Sequence, residues 1–228
     1  MASCVIASSR VWRPQMTEEV VRRTGVACSL VTTKDALTSE YLSRLKPDYV
    51  FFPHWSYLVP QEIYEQFECV IFHMTDVPFG RGGSPLQNLI IRGVSETKVS
   101  ALRCVAEVDA GPVYLKRPLS LQGTAQDIYS QASRLIEDMI VEILQTRPVP
   151  RPQEGTPVAF KRRKPSEGNL ADLRTVQETY DVIRMLDAEG YPPAFLQVGK
   201  LRFEFSRAAL REDRLRADVV ITVVNDDK

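Results

Sequence analysis

The 228-residue sequence has few of the residues that build metal sites or disulfide frameworks. It contains two histidines, without the spacing typical of zinc ligands, and this argues against a metal site. Its four cysteines form no Cys-x-x-Cys pair. Cys28 and Cys69 lie in apolar runs typical of strands, so we expect reduced, buried thiols and therefore a cytoplasmic protein.

Long apolar runs and a surplus of one charge sign are also missing. No apolar run approaches the ~20 residues that a membrane-spanning helix needs, and residues 1–20 carry too many charges for a signal peptide. We therefore expect no membrane partner. The 29 Lys and Arg residues equal the 29 Asp and Glu residues in number. Because nucleic-acid-binding proteins usually carry a basic field, this balance predicts that no nucleic acid is bound.

What the chain does contain is enough apolar sequence, 44%, for one substantial core. Short apolar runs such as "CVIAS" (4–8), "DYVFFP" (48–53) and "CVIF" (69–72) are typical of strands covered on both faces, and helical patterns lie between them. This alternation predicts an α/β fold with a doubly wound, mostly parallel, Rossmann-like sheet.

Composition divides the chain into three predicted segments. They are a catalytic domain over 1–146, a proline-rich linker "RPVPRPQEGTP" over 147–157, and a small α+β C-terminal subdomain over 158–228. The subdomain contains a helical pattern near 174–187 and a hairpin-like pair around Gly199. Its apolar strands favour a homodimer as one oligomeric state, which the sequence alone leaves open.

Three polar side chains follow predicted strands, at the edge where ligands gather in open α/β sheets. His54 follows "DYVFFP", His73 ends "CVIFH", and Asp109 follows the apolar stretch 98–108. If the first two strands are neighbours, both histidines reach one crevice. Each residue alone also has an ordinary interpretation, as a hydrogen-bonded strand-end histidine or an aspartate that starts a turn.

Taken together, "FHMTDVPFGRGGSPLQNLI" and "VDAGPVYLKRPL" resemble the catalytic core of the folate-dependent formyltransferases. That family includes methionyl-tRNA formyltransferase, glycinamide ribonucleotide transformylase and the nucleotide-sugar N-formyltransferases. Its signature is a strand-end histidine, a "SLLPxxRG"-like loop and a downstream Leu-Asp-x-Gly. Here His73, the loop "TDVPFGRGG" and "VDAG" (108–111) occupy those places, and the distance along the chain between histidine and aspartate matches the family's.

The resemblance implies an enzyme that uses 10-formyltetrahydrofolate as formyl donor. His73 would transfer a proton and stabilise the oxyanion, and Asp109 would orient its imidazole ring. Trp55 and Tyr57 would form a wall for the folate, and the backbone around Glu107 and Val108 would bind its pterin. The remaining residues predicted to bind the donor belong to the glycine-lined loop, namely Asp76, Pro78, Gly80, Arg81 and Gly82.

One position departs from the family pattern. The family places an asparagine two residues before its histidine, where it helps to hold the oxyanion, and this chain has Ile71 there. Losing one such donor typically costs ~10²–10³ in rate. We expect His54 to replace it as a third catalytic residue, with Asn88 as the alternative.

The tail guides the choice of acceptor. "YDVIRMLDAEGYPPAF" resembles the segment after the catalytic domain of sugar N-formyltransferases, and the tail has neither the length nor the charge expected of a methionyl-tRNA formyltransferase. We therefore expect formylation of the amino group of a nucleotide-linked amino sugar, whose sugar, nucleotide and amine position stay open. The alternatives are a methionyl-tRNA formyltransferase and a non-catalytic folate- or nucleotide-binding homologue in which Ile71 marks lost activity.

Overall fold

In a computed structural model that describes residues 2–224, the chain forms two compact units. The first unit consists of the chain up to Gly82 with Thr97–Leu119 and Tyr129–Ala159, and the second unit of Gly83–Glu96, Ser120–Ile128 and the chain from Phe160 onward. This division differs from the predicted boundaries. The predicted linker, 147–157, falls inside the first unit, and the end of the predicted subdomain, 225–228, lies outside the described residues.

The central sheet has six strands: β1 (Ser3–Ala7), β2 (Ala27–Val31), β3 (Tyr49–Phe52), β4 (Cys69–His73), β6 (Glu96–Arg103) and β7 (Val113–Ser120). Their order is β2-β1-β3-β4-β6-β7. The neighbours from β2 to β4 pair in parallel, whereas β6 runs antiparallel to β4. The predicted α/β class with a mostly parallel sheet is confirmed.

The helices are α1 (Met16–Thr24), α2 (Ser39–Leu45), α3 (Gln61–Tyr64), α4 (Pro85–Ile91), α5 (Ala125–Thr146) and α6 (Val176–Leu186). Local signals in the sequence explain where several of them begin. Thr38 Oγ1 accepts a hydrogen bond from the Tyr41 N–H at the start of α2. Thr175 and Glu178 form a reciprocal capping box at the start of α6.

The other strands form two smaller sheets. β5 (Phe79–Gly82) pairs with β8 (Val158–Phe160), and β9 (Ala194–Val198), β10 (Leu201–Arg211) and β11 (Arg214–Val223) form an antiparallel sheet in the order β11-β10-β9. A 3₁₀ turn spans Pro165–Gly168. The helix and the hairpin predicted for the tail correspond to α6 and to β9 with β10. β5 was not predicted, because its "FGRG" sequence has no apolar pattern.

One face of the central sheet packs against α2 and α3. The buried cluster consists of Val5, Ala7, Val31, Leu37, Leu42, Val50, Phe52, Ile63 and Cys69. Trp55 and Ile71 are partly buried against the same cluster. Alternate residues of a strand share a face, so Cys69, Ile71 and His73 lie on one side of β4. Within residues 2–224, no helix is both long and apolar enough to cross a membrane.

Candidate active site

His73, at the end of β4, is held between two oxygen atoms. Its Nε2 lies 2.7 Å from the carbonyl oxygen of Gly80, and its Nδ1 lies 3.4 Å from Oδ2 of Asp109. A carbonyl oxygen can only accept, so Nε2 carries a hydrogen and donates it to Gly80. His73 is 7% exposed and the side chain of Asp109 is 11% exposed. The two predicted catalytic residues therefore form a pair that is largely shielded from water.

A loop, and not the end of a strand as expected, places Asp109 beside His73. The apolar stretch 98–108 was predicted to be one strand, but β6 ends at Arg103. Arg103 pairs with Val70 near the start of β4, whereas His73 pairs with Ser100. The loop after β6 therefore returns along β4 to place the Asp109 carboxylate beside the imidazole ring. The predicted strand 98–108 extends beyond β6, because an apolar run does not show where a strand ends or in which direction it runs.

A backbone hydrogen bond fixes the carboxylate of Asp109. Oδ2 of Asp109 accepts a hydrogen bond of 2.9 Å from the N–H of Gly82. Gly82 has φ of 104°, a conformation that favours glycine, and Asp109 itself has φ of 54°. The glycine-rich loop therefore supplies an oriented N–H donor to the His73–Asp109 pair as well as freedom of backbone conformation.

His54 lies in the turn that follows β3, two residues beyond Phe52, whose partner on β4 is Ile71. The His54 side chain contacts α5. Ser133 Oγ donates to the Tyr129 carbonyl oxygen, so it accepts from His54 Nε2 at 2.8 Å. The replacement of the family's asparagine by His54 remains a prediction, and the observed contacts of His54 favour a role in fixing β3 to α5.

Burial makes His54 a source of acid sensitivity. Burial, with a smaller contribution from the charge of Arg10, lowers the pKa of His54 from 6.5 to about 4. The unfolded chain therefore binds a proton at this residue between pH 6.5 and 4, whereas the folded chain does not. We expect the free energy of unfolding to be unaffected by His54 above pH 6.5 and to fall by up to about 3 kcal/mol as the pH falls towards 4.

Urea unfolding of the wild type and of His54→Gln, measured at a series of pH values, checks this expectation. Glutamine retains an N–H donor for Ser133 and does not titrate in this range. The wild type should lose more stability than the variant between pH 6.5 and 4. Equal pH dependence in the two proteins would contradict the assignment.

The two positions that could supply or replace the oxyanion donor differ in their surroundings. Ile71 packs against the buried cluster under the sheet and offers no polar atom. The side-chain N–H₂ of Asn88, in the second unit, donates to the carbonyl oxygens of Gly83, Ser84 and Lys161 at 3.0, 3.1 and 2.9 Å. Asn88 therefore has a structural role at the start of α4, and its polar hydrogens are already used.

The wall predicted to bind folate contains an unsatisfied donor. The rings of Trp55 and Tyr57 pack edge to face with centroids 5.3 Å apart, and Tyr57 is 48% exposed. The buried indole N–H of Trp55 finds no acceptor in the part of the chain that the structure describes. Glu107 and Val108 are exposed beside Asp109. These features fit an aromatic ligand with acceptor groups, such as a folate.

Asp76 holds the loop that precedes β5. It accepts from Lys116 at 2.5 Å and pairs with Lys98 at 2.9 Å, while Lys116 also donates to the Val77 carbonyl oxygen. Burial alone would raise the pKa of Asp76, but the hydrogen bonds and charges of the two lysines outweigh it and lower that pKa. The next predicted loop residue, Pro78, accepts from the Val158 N–H through its carbonyl oxygen.

Gln153 also contacts this site, and it was not predicted because it lies in the proline-rich segment assigned to the linker. The Gln153 side chain bonds both Arg81 and the turn that contains Asp109. The only signal in the sequence is an amide residue between proline and glutamate, and this pattern does not reveal a tertiary partner.

Known proteins that resemble this chain identify its family. A protein-family model described as "Methionyl-tRNA formyltransferase, C-terminal domain" matches residues 165–222. A methionyl-tRNA formyltransferase of Francisella philomiragia is 25% identical over 185 residues, which are 78% of this chain and 59% of that protein. The structure of a methionyl-tRNA formyltransferase from Clostridium thermocellum superposes with a TM-score of 0.94 at 45% identity, covering 98% of this chain and 100% of that one.

More distant structures show the fold alone. A sugar N-formyltransferase from Shewanella has a TM-score of 0.69 at 13% identity, with both chains fully covered. HypX from Aquifex aeolicus, in complex with tetrahydrofolic acid, has a TM-score of 0.72 at 18% identity, covering 90% of this chain and 37% of HypX.

The structure is that of a mixed α/β protein with a mostly parallel central sheet, in which the His73–Asp109 pair lies beside a glycine-rich loop. The chain belongs to the formyltransferase family. It spans 59% of the length of its Francisella relative. The predicted family membership is confirmed.

The prediction that the chain has no nucleic-acid partner is wrong. The curated relatives that match in sequence are methionyl-tRNA formyltransferases, which by their name act on a tRNA. The prediction relied on a net charge of zero, but net charge does not report a local basic patch. The tail was also misjudged, since residues 165–222 match the C-terminal domain of methionyl-tRNA formyltransferases.

Proposed function

We propose that the chain transfers the formyl group of 10-formyltetrahydrofolate to the amino group of an aminoacyl residue carried by a tRNA, with methionyl-tRNA as the first candidate. The observation that carries the proposal is the His73–Asp109 pair, with Gly82 bound to the carboxylate. The names of the relatives support the tRNA acceptor over an amino sugar.

The chemistry requires one proton relay and one oxyanion donor. The acceptor nitrogen attacks the formyl carbon, the tetrahedral intermediate collapses, and the carbon–nitrogen bond to tetrahydrofolate breaks. The amine loses one proton and the departing nitrogen gains one. His73 carries this proton, and its N–H stabilises the oxyanion, while Asp109 orients the ring and stabilises its charged form. His73 must first release the carbonyl oxygen of Gly80, to which its Nε2–H is bonded.

A basic segment of the second unit supports a nucleic-acid acceptor. Lys161, Arg162 and Lys164 are exposed in the run "KRRK". The neighbouring backbone is fixed, because the Arg163 N–H donates to Ser84 Oγ at 3.0 Å and Lys161 O accepts from Asn88. Exposed cationic side chains on a backbone fixed in this way could bind the phosphates of a tRNA.

The deciding experiment mixes the protein with 10-formyltetrahydrofolate and either methionyl-tRNA or a panel of amino-sugar nucleotides, and follows product mass. We expect formylated methionyl-tRNA and unchanged sugars. Affinity for tRNA should fall steeply with salt, and Lys161→Gln with Lys164→Gln should weaken both the affinity and its salt dependence. Lys34→Gln with Lys46→Gln, which removes two exposed lysines elsewhere, is the matched control.

Other outcomes would redirect the assignment. Formylation of a sugar nucleotide without reaction on methionyl-tRNA would refute the tRNA acceptor. Binding of the folate without turnover on any acceptor would favour a binding protein, with Ile71 in place of the asparagine as the physical reason.

A further inference from the structure

The segment expected to be a linker is fixed to the active site. The Arg151 N–H donates to the Val113 carbonyl oxygen at 2.9 Å, and the Arg151 carbonyl oxygen accepts from the Val113 N–H at 2.7 Å. Further along, Gly155 lies against the Pro78 ring, and the Val158 N–H donates to the Pro78 carbonyl oxygen at 3.0 Å. Hydrogen bonds at both ends therefore fix residues 151–158 beside the glycine-rich loop. Gln153 lies within this segment.

The amide of Gln153 uses its donor and its acceptor at the same time. Its N–H₂ donates to the carbonyl oxygens of Asp109 and Gly111, both at 2.8 Å. Its Oε1 accepts from Nε and Nη2 of Arg81, at 3.1 and 2.8 Å. The amide thus joins the backbone of the Asp109 turn to the side chain of a β5 residue.

The same two pieces of chain meet at the catalytic pair. Gly82, next to Arg81, donates its N–H to Oδ2 of Asp109, and that oxygen faces His73. Asp109 has the left-handed φ of 54°, which costs an aspartate less than most residues with a side chain but still some free energy, and the bonds from Gln153 support this turn. Arg81 also pairs with Glu107 at 3.1 Å, but the Glu107 side chain is 75% exposed and contributes little.

We propose that Gln153 is a positioning residue that holds the Asp109 carboxylate in register with His73 by joining the 109–111 turn to Arg81. The amide provides this bridge because it both donates and accepts, whereas a carboxylate cannot donate to the two carbonyl oxygens and an apolar side chain does neither. The consequence for rate rests on the proposed function, whereas the consequence for geometry does not.

The geometry can be tested without any turnover. The chain has two histidines, so ¹⁵N spectra of the imidazole rings contain His73 and His54 alone, and His73→Gln assigns them. Gln153→Glu and Gln153→Ala should shift the ring nitrogens of His73 and leave those of His54, which contacts α5, as in the wild type. Unchanged His54 signals also show that the variant is folded. Gln145→Ala, which removes an exposed amide bonded to Arg23, is the matched control and should move neither ring.

The kinetic arm measures formyl transfer by the same variants. Misplacing a catalytic group costs up to about 100-fold, so we expect kcat to fall about 10- to 100-fold in both Gln153 variants, with KM for each substrate within about twofold of wild type. Unshifted His73 signals, or unchanged kcat in an active protein, would overturn the positioning role. Shifted His73 signals in a protein that formylates nothing would retain that role and instead reject the proposed function.

Discussion

His73→Ala is expected to lower kcat for formyl transfer about 100- to 10,000-fold. The imidazole is the group placed to carry a proton between the attacking amine and the departing nitrogen, and it is oriented by Asp109 at 3.4 Å. Under the proposed function, and with Ile71 in place of the family's asparagine, His73 would also supply more of the oxyanion stabilisation than it would in a relative that keeps both. Alanine removes both contributions.

The measurement is single-turnover formylation of methionyl-tRNA, so that product release does not mask the chemical step. Asp109→Asn is the companion variant, since it keeps an oxygen to accept from the Gly82 N–H while it removes the charge that favours imidazolium. We expect a large loss there too. A rate within a few-fold of wild type in His73→Ala, with the fold intact, would exclude His73 as the proton carrier.

The sequence was informative about the fold where burial determines residue choice. Strands covered on both faces must be apolar, so β3 and β4 appear as continuous apolar runs. The same runs say nothing about direction, so the strand β6 was predicted but its antiparallel direction was not. A proline-rich segment looks the same whether it is free or bonded to its neighbours, so the bonds of Gln153 could not be predicted.

The candidate site was predictable in its residues but not in its connections. His73 and Asp109 followed from the resemblance to a family, and their proximity depends on a loop that returns along β4. The pairing of β3 with β4 ends where Phe52 meets Ile71, two residues before His54. The φ of 49° at His54 is a backbone conformation that periodicity cannot reveal, and the His54 side chain contacts α5.

Gly111→Ala is expected to destabilise the first unit severely. A Cβ at this position would lie 1.8 Å from the Arg103 carbonyl oxygen and 2.9 Å from its carbonyl carbon. Backbone atoms cannot move aside as a flexible side chain can, so the turn itself must shift. We expect the free energy of unfolding to fall by about 4 kcal/mol or more, a loss typical of severe steric or burial defects.

Gly25→Ala is the matched control for that variant. Gly25 has φ of 70°, and apart from its chain neighbours no atom of the described residues lies within 4 Å of its added Cβ, so alanine there suffers the conformational strain alone, about 1–2 kcal/mol. Urea unfolding of the three proteins gives the comparison. Equal losses in the two variants would mean that the loop tolerates displacement. Activity sharpens the test, because the turn that holds Gly111 also places Asp109. A folded Gly111→Ala protein should therefore lose formyl transfer, whereas Gly25→Ala should keep it.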